Sequence, residues 1–387
     1  MVRSHFAAPH RRPSVSGVQM RVAVFGSGAF GLWTANALLE RTADVRVYGF
    51  DNDPHAASAS THRLIRTVYG DRHLYPPLVV ESLSEWQRLS NESREDLLVL
   101  PGVMWLFRDD EYASFATAAT AAPGIDRAAY PVDELDVEDA SKLHPWLSLH
   151  GISRAFFEPK AGFLRAAQCC DALLARFKGK GGQFHPVPMS RLGRTESGTL
   201  EGVVLRDGTT VEADQFVFAC GAAMTALFPD IFASTRLTKQ LEFFFDSKLR
   251  HDQPAVPVTV DFNGAKDMFY GLADPAGSVF KIGDDTDRGT LQQDHLEPTI
   301  EDIKIGQQLA RERFPELGNA IPRVRVCKYS RREPSLHPIA DRHPEWTNCW
   351  LLGGGSGHGF KFSPALGAYM ARRIVGETRV IEEFSSV

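Results

Sequence analysis

The sequence predicts an α/β chain, α+β overall, in which a doubly wound, Rossmann-type nucleotide-binding domain is interleaved with an antiparallel-sheet lobe. Three observations carry this prediction. A β-branched run, Met20–Phe25, leads directly into Gly26-Ser27-Gly28-Ala29-Phe30-Gly31. A second strand-like run, Val45–Phe50, ends at Asp51, 20 residues beyond Gly31. Alternating patterns (LEFFF, PVTVDF, MFYGL, VFKIG) fill residues 232–322, which reads as a half-buried antiparallel sheet.

Leu32, Ala35, Leu38 and Leu39 share one helical face after the glycines, completing strand, turn and helix. Residues 72–150 are less regular, with a helix expected around Leu78–Leu89, a strand within Leu97–Phe107 and an Ala-rich stretch at 113–122. A helix over Arg165–Phe177 and a buried strand over Val211–Ala219 follow, the strand stopping at Cys220-Gly221. A helix is expected near Ile300–Phe314, then a strand at Cys349–Leu352, a glycine run and a last helix from Ser363. The expected division is a tail at 1–19, a nucleotide-binding domain from 20–84, 151–231 and 323–387, and a substrate lobe from 85–150 and 232–322. Such interleaving makes a cleft, where ligands prefer to bind.

Composition narrows the function. The 387 residues carry 24% charged side chains and a net charge of −5. Residues 1–19 hold Arg3, Arg11 and Arg12 and no acid, which leaves −8 for the remainder. That balance argues against nucleic-acid or membrane-surface binding. No run approaches the roughly 20 apolar residues of a membrane span. The first 19 residues lack the apolar core of a signal peptide. Five cysteines, two of them adjacent at 169 and 170, make neither a disulfide scaffold nor a metal site, so a cytoplasmic location and no metal are expected.

In the GxGxxG turn, Gly26 permits the bend, Gly28 admits a pyrophosphate to the backbone and Gly31 lets the helix pack on the strand. Asp51 is placed to accept from a ribose diol, which leaves FAD and NAD both open. Gly353–Gly359 contains five glycines, costly in entropy unless main chain passes something flat or large, for which a cofactor ring is a candidate. Ser363-Pro364 then reads as an N-cap with Pro at the first helical position. Metalloprotease, phosphate-loop and nucleophile-elbow motifs are missing.

Seven segments make the chain resemble the monomeric sarcosine oxidase and N-methyltryptophan oxidase branch of the D-amino-acid-oxidase-like flavoproteins. They are GSGAFG with Asp51, THRLIRTVYGD at 61–71, FEPKAGFL at 157–164, VFACG at 217–221, FYGLADPAGSVFKIG at 269–283, VCKYS at 326–330 and GSGHGFKFS at 355–363. The resemblance implies FAD on Gly26, Ser27, Gly28, Ala29, Phe30, Gly31 and Asp51, with Cys220, Gly221, Gly355, Gly357, Gly359 and Lys361 beside it and Arg63 near the flavin ring. It gives Arg66 and Lys361 the substrate carboxylate, Lys281 the activation of dioxygen, Tyr270 an active-site place, and Cys327 a covalent link to the flavin. His358 is assigned positioning rather than proton transfer.

The chain departs from that pattern in three places. Residues 331–341 are one longer than usual, Ala222-Ala223 replace an aromatic, and Asp285 stands where sarcosine oxidase has an active-site histidine. An acid there favours a cationic substrate group or simply gives a different pocket shape. The function these residues imply is FAD-dependent oxidation of a carboxylate-bearing, secondary amine to an imine by a monomeric enzyme, with dioxygen reduced to hydrogen peroxide. The alternatives are an amino-acid dehydrogenase with another acceptor and a non-catalytic flavoprotein subunit. A nicotinamide-dependent dehydrogenase would be colourless.

Overall fold

A computed structural model describes residues 20–42, 44–49, 53–70, 72–108, 124–196, 198–246, 256–262, 268–277, 279–291 and 296–386. The expected tail, Asp51 and the Ala-rich stretch at 113–122 lie outside the described residues. Two large sheets organise the rest. In the first, Arg21–Phe25 lies between Gln215–Phe218 and Asp44–Tyr48, with Cys349–Gly353 and Gln183–His185 outside them, all parallel. Ile339–Arg342 closes one edge antiparallel to Cys349–Gly353.

The central strand is buried on both faces because its alternate side chains meet different partners. Val22 and Val24 pack with Leu32, Trp33 and Leu38 of the helix Ala29–Leu39, and with the helices Ala166–Gly179 and Ser363–Ile374. Ala23 and Phe25 pack with Phe216, Phe218 and Leu351 under small sheets formed by residues 189–211.

The second sheet has eight strands in the order Arg323–Arg332, Thr235–Asp246, Val279–Asp284, Met268–Ala273, Val258–Phe262, Val103–Phe107, Arg154–Glu158 and Asp133–Leu135. It is antiparallel apart from one pair, Val258–Phe262 with Val103–Phe107, which run parallel. The expected antiparallel sheet is therefore mixed at one seam. The sheet recruits Arg154–Glu158 and Arg323–Arg332 from segments expected in the nucleotide-binding domain. The helix Tyr75–Ser93 runs across residue 84, and its Trp86 donates to the Lys361 carbonyl at 2.8 Å. No helix among the described residues is long and apolar enough to cross a membrane.

Candidate active site

The glycine turn is built as its spacing demands. Gly26 has φ +114°, and a Cβ there would lie 2.3 Å from the Ala219 carbonyl oxygen. A Cβ on Gly31 would lie 2.0 Å from the Gly26 carbonyl oxygen, so strand and helix touch through bare backbone. Gly28 is extended, the helix after it has no side-chain cap, and the Ala29 N–H donates to Ser58 Oγ at 3.2 Å. Gly221 (φ +58°) faces open space. A helix start with no cap from its own N-cap residue, near the open Gly221, fits the pyrophosphate of a dinucleotide. Cys220 is packing: its thiol donates to the Phe25 carbonyl and burial pushes it up to about 12.

The glycine run meets flat partners within the chain. Cβ atoms on Gly359 and Gly355 would come within 2.6 and 3.3 Å of the Phe30 ring, and one on Gly357 within 2.5 Å of Tyr329. Phe30 thus ties the helix start to this run. The last helix begins at Ser363 itself, whose hydroxyl donates back to the Phe360 carbonyl, so Ser363 is not the N-cap. The single turn Gly359–Phe362 ahead of it takes the place of a cap.

Beside this run lies a cavity of about 350 Å³ lined by Arg63, Arg66, Arg72, Glu242, Tyr270, Asp285, Tyr329, Arg331, His358 and Lys361, among others. Arg66 is stacked between Tyr69 and Trp105, 4.2 and 5.0 Å from the ring centroids. One of its terminal nitrogens donates to the Val68 carbonyl. Behind it, Glu158 accepts from Thr67 and from Trp105 Nε1. Burial, reinforced by Arg66, pulls the Lys361 ammonium well below its ordinary range; its Nζ donates to the His358 carbonyl at 3.1 Å. Burial also keeps His358 neutral, its ring edge-on to Tyr75 and its Nε2 3.2 Å from the Leu336 carbonyl. Burial raises the Asp285 carboxyl.

Four buried polar atoms on this cavity, Arg66 Nε, Asp285 Oδ1, Arg331 Nη1 and His358 Nδ1, have no hydrogen-bond partner among the described residues. Unmet buried polar groups of this kind are rare and call for a ligand or water.

Arg63 is buried and fully engaged. It donates to Tyr329 Oη at 2.9 Å, Glu242 Oε1 at 3.0 Å, Cys327 Sγ at 3.2 Å and the Ala57 carbonyl. Lys281 is buried too, and it is Glu242, not Lys281, that is among the lining residues. Its Nζ donates to Glu242 Oε1 at 2.8 Å, the His62 carbonyl at 2.9 Å and Ser60 Oγ at 3.0 Å. Arg325 donates to the other Glu242 oxygen at 2.6 Å. Burial would raise the Glu242 carboxyl, but Lys281, Arg63 and Arg325 hold it well below the ordinary carboxylate range. The sequence reading missed Glu242, although an acid inside the apolar run Leu241–Phe245 is itself a signal, since an isolated buried charge needs partners. Arg331 and Trp105 carried no such mark.

The family described as DAO, FAD dependent oxidoreductase, matches residues 21–373. The chain belongs to this family. Its cofactor is FAD, which the glycine turn and open Gly221 suit. Monomeric sarcosine oxidase of Bacillus sp. (strain B-0618) is 25% identical over 379 residues, covering 92% of this chain and 93% of that protein. N-methyl-L-tryptophan oxidase of Salmonella heidelberg (strain SL476) is 26% identical over 368 residues, covering 92% and 94%. In fold, L-proline dehydrogenase from P. horikoshii superposes with a TM-score of 0.83 at 19% identity, covering 95% of this chain and 97% of that one. Within this DAO-family member, Arg66, Tyr270, Asp285, His358 and Lys361 gather on one cavity.

Proposed function

We propose that the protein oxidises a carboxylate-bearing, secondary amine and passes the electrons to dioxygen. In balance, the amine, dioxygen and water give a carbonyl compound, the released amine and hydrogen peroxide. FAD supplies the two-electron acceptor. The observation that supports this reading best is Arg66, fixed between two aromatic rings with an unmet N–H on the cavity. A guanidinium held so offers a carboxylate a charge-assisted bond without losing side-chain freedom. Lys361 lines the same cavity, and a carboxylate there would favour its charged form, which burial disfavours.

Tyr270 and Met268 wall the space for the amine substituent, and Asp285 gives it an acceptor suited to a cationic group. His358 holds the glycine run against Tyr75 and moves no proton. Cys327, buried beside the Arg63 guanidinium, would carry the covalent link to FAD.

The test is an anaerobic panel of N-alkyl amino acids read by flavin bleaching, followed by oxygen and peroxide assays in air. Bleaching with peroxide release supports the reading. Bleaching without oxygen use assigns another acceptor, and no bleaching by any amine removes the enzymatic reading. Acid precipitation tests the link: colour in the supernatant would exclude Cys327 while leaving the oxidation untouched.

A further inference from the structure

An ammonium has three N–H donors and no more. In Lys281 each has an acceptor within 3.0 Å: Glu242 Oε1, the His62 carbonyl and Ser60 Oγ. Ser60 in turn donates to the same Glu242 oxygen at 2.7 Å, so the hydroxyl is oriented with its lone pairs toward the lysine. The nearest charge to Lys281 is thus a carboxylate that Arg63 and Arg325 also fix, in a strand whose neighbours Leu241 and Phe243 are fully buried. A cation compensated at contact distance presents little field to a third group, and one with no free N–H gives it no hydrogen bond.

We propose that Glu242 is a positioning residue that restrains Lys281, so that Lys281 does not assist dioxygen and reoxidation of the reduced cofactor is slow in the native enzyme. The inference rests on the oxidase reading above, in which reduced FAD loses two electrons and two protons to dioxygen, giving FAD and hydrogen peroxide. Glu242 then sets the speed of that half of the cycle through Lys281. Replacing Glu242 frees an ammonium, and one positive charge, at the wall of the cavity, where Lys281 Nζ lies 5.7 Å from the ring centroid of the lining Tyr270.

The experiment is carried out on the FAD-loaded protein reduced by light, with no amine present, then mixed with dissolved oxygen. Glu242→Gln is expected to raise the second-order rate of reoxidation about tenfold, equivalent to about 1.4 kcal/mol. Lys281→Met alone should change it by less than about threefold, and the double variant should lose the gain. The midpoint potential of bound FAD should rise in Glu242→Gln, a readout that a loosened fold would not produce.

A tenfold loss on Lys281→Met alone, or an unchanged rate in FAD-loaded Glu242→Gln, overturns the proposal. If Glu242→Gln does not hold FAD, Ser60→Ala removes one of the three acceptors while keeping the ion pairs; a gain of about threefold supports the restraint and no gain refutes it. Because reduction by light needs no substrate, failure of the amine panel and failure of this inference are separate results.

Discussion

Substituting Gly26 by alanine tests the nucleotide side of the site without any substrate. The residue sits at φ +114°, a backbone conformation that L side chains rarely adopt; holding alanine there costs about 1–3 kcal/mol. The added Cβ would also lie 2.3 Å from the Ala219 carbonyl oxygen and 2.8 Å from its carbon. Neither side yields easily, because Phe25 and Phe218 stack at 5.2 Å and both strands are buried. Overpacking of this kind costs about a further 1–3 kcal/mol. Together the two terms come to about 2–6 kcal/mol, and with an unfolding entropy near 2.1 cal/mol/K per residue the melting temperature should fall by about 3–7 °C. Bound FAD should fall with it, since relief of the clash moves the turn that faces the pyrophosphate. Differential scanning fluorimetry and the ratio of absorbance at 450 and 280 nm, roughly the flavin and protein bands, read the two effects. Gly179→Ala is the control: it meets nothing within 4 Å at a helix end and should be neutral or slightly stabilising. A yellow Gly26→Ala protein with native melting temperature would refute the reasoning.

Arg66→Lys keeps the charge but loses the planar fork and its stacking on Tyr69 and Trp105, so KM for the amine should rise about 10- to 100-fold with a smaller effect on kcat; equal loss in both would mean that Arg66 does not hold the substrate in the ground state. Lys361 is depressed by burial, and an anion favours its charged form. Affinity for a small carboxylate such as acetate should therefore be flat below that depressed value and fall by up to about tenfold per pH unit above it, with one proton taken up on binding. Calorimetry in two buffers checks the uptake. Burial would raise the Asp274 carboxyl, but His62 and Arg165 hold it well below its ordinary range. Its stabilisation is complete above the unfolded value of about 4 and is lost as pH falls below it, so Asp274→Asn should flatten the acid side of the stability curve.

The nucleotide-binding half was the more legible in sequence because its constraint is local: a strand, three glycines and a helix leave one arrangement open. The expected strand at Val211–Ala219 is in fact two, Thr210–Val211 and Gln215–Phe218, since Asp214 turns aside to accept from Arg21. The glycine run was recognised as a close approach, but its flat partners include Phe30 and Tyr329, which lie some 300 and 30 residues away and leave no local trace. The same holds for the Lys281 surroundings. Pattern shows a lysine in a strand; only the pairing of Val279–Asp284 with Thr235–Asp246, which sets Lys281 opposite Phe244 and near Glu242, reveals a buried ion cluster.

The segment from Asp53 to Ser60 leaves the nucleotide sheet and is fastened to the strand Arg323–Arg332. Lys328 pairs with Asp53, His55 meets the Val326 carbonyl at 2.8 Å, and Arg325 donates to the Pro54 and Ala56 carbonyls. Fastening at that point removes modularity. A fragment carrying either sheet alone would lose a partner strand or this strap, so the two halves should be inseparable by truncation and should unfold in one step. It also ties the two sheets together at that edge, so substrate traffic is expected to depend on local movements of surface loops more than on opening of the whole cleft.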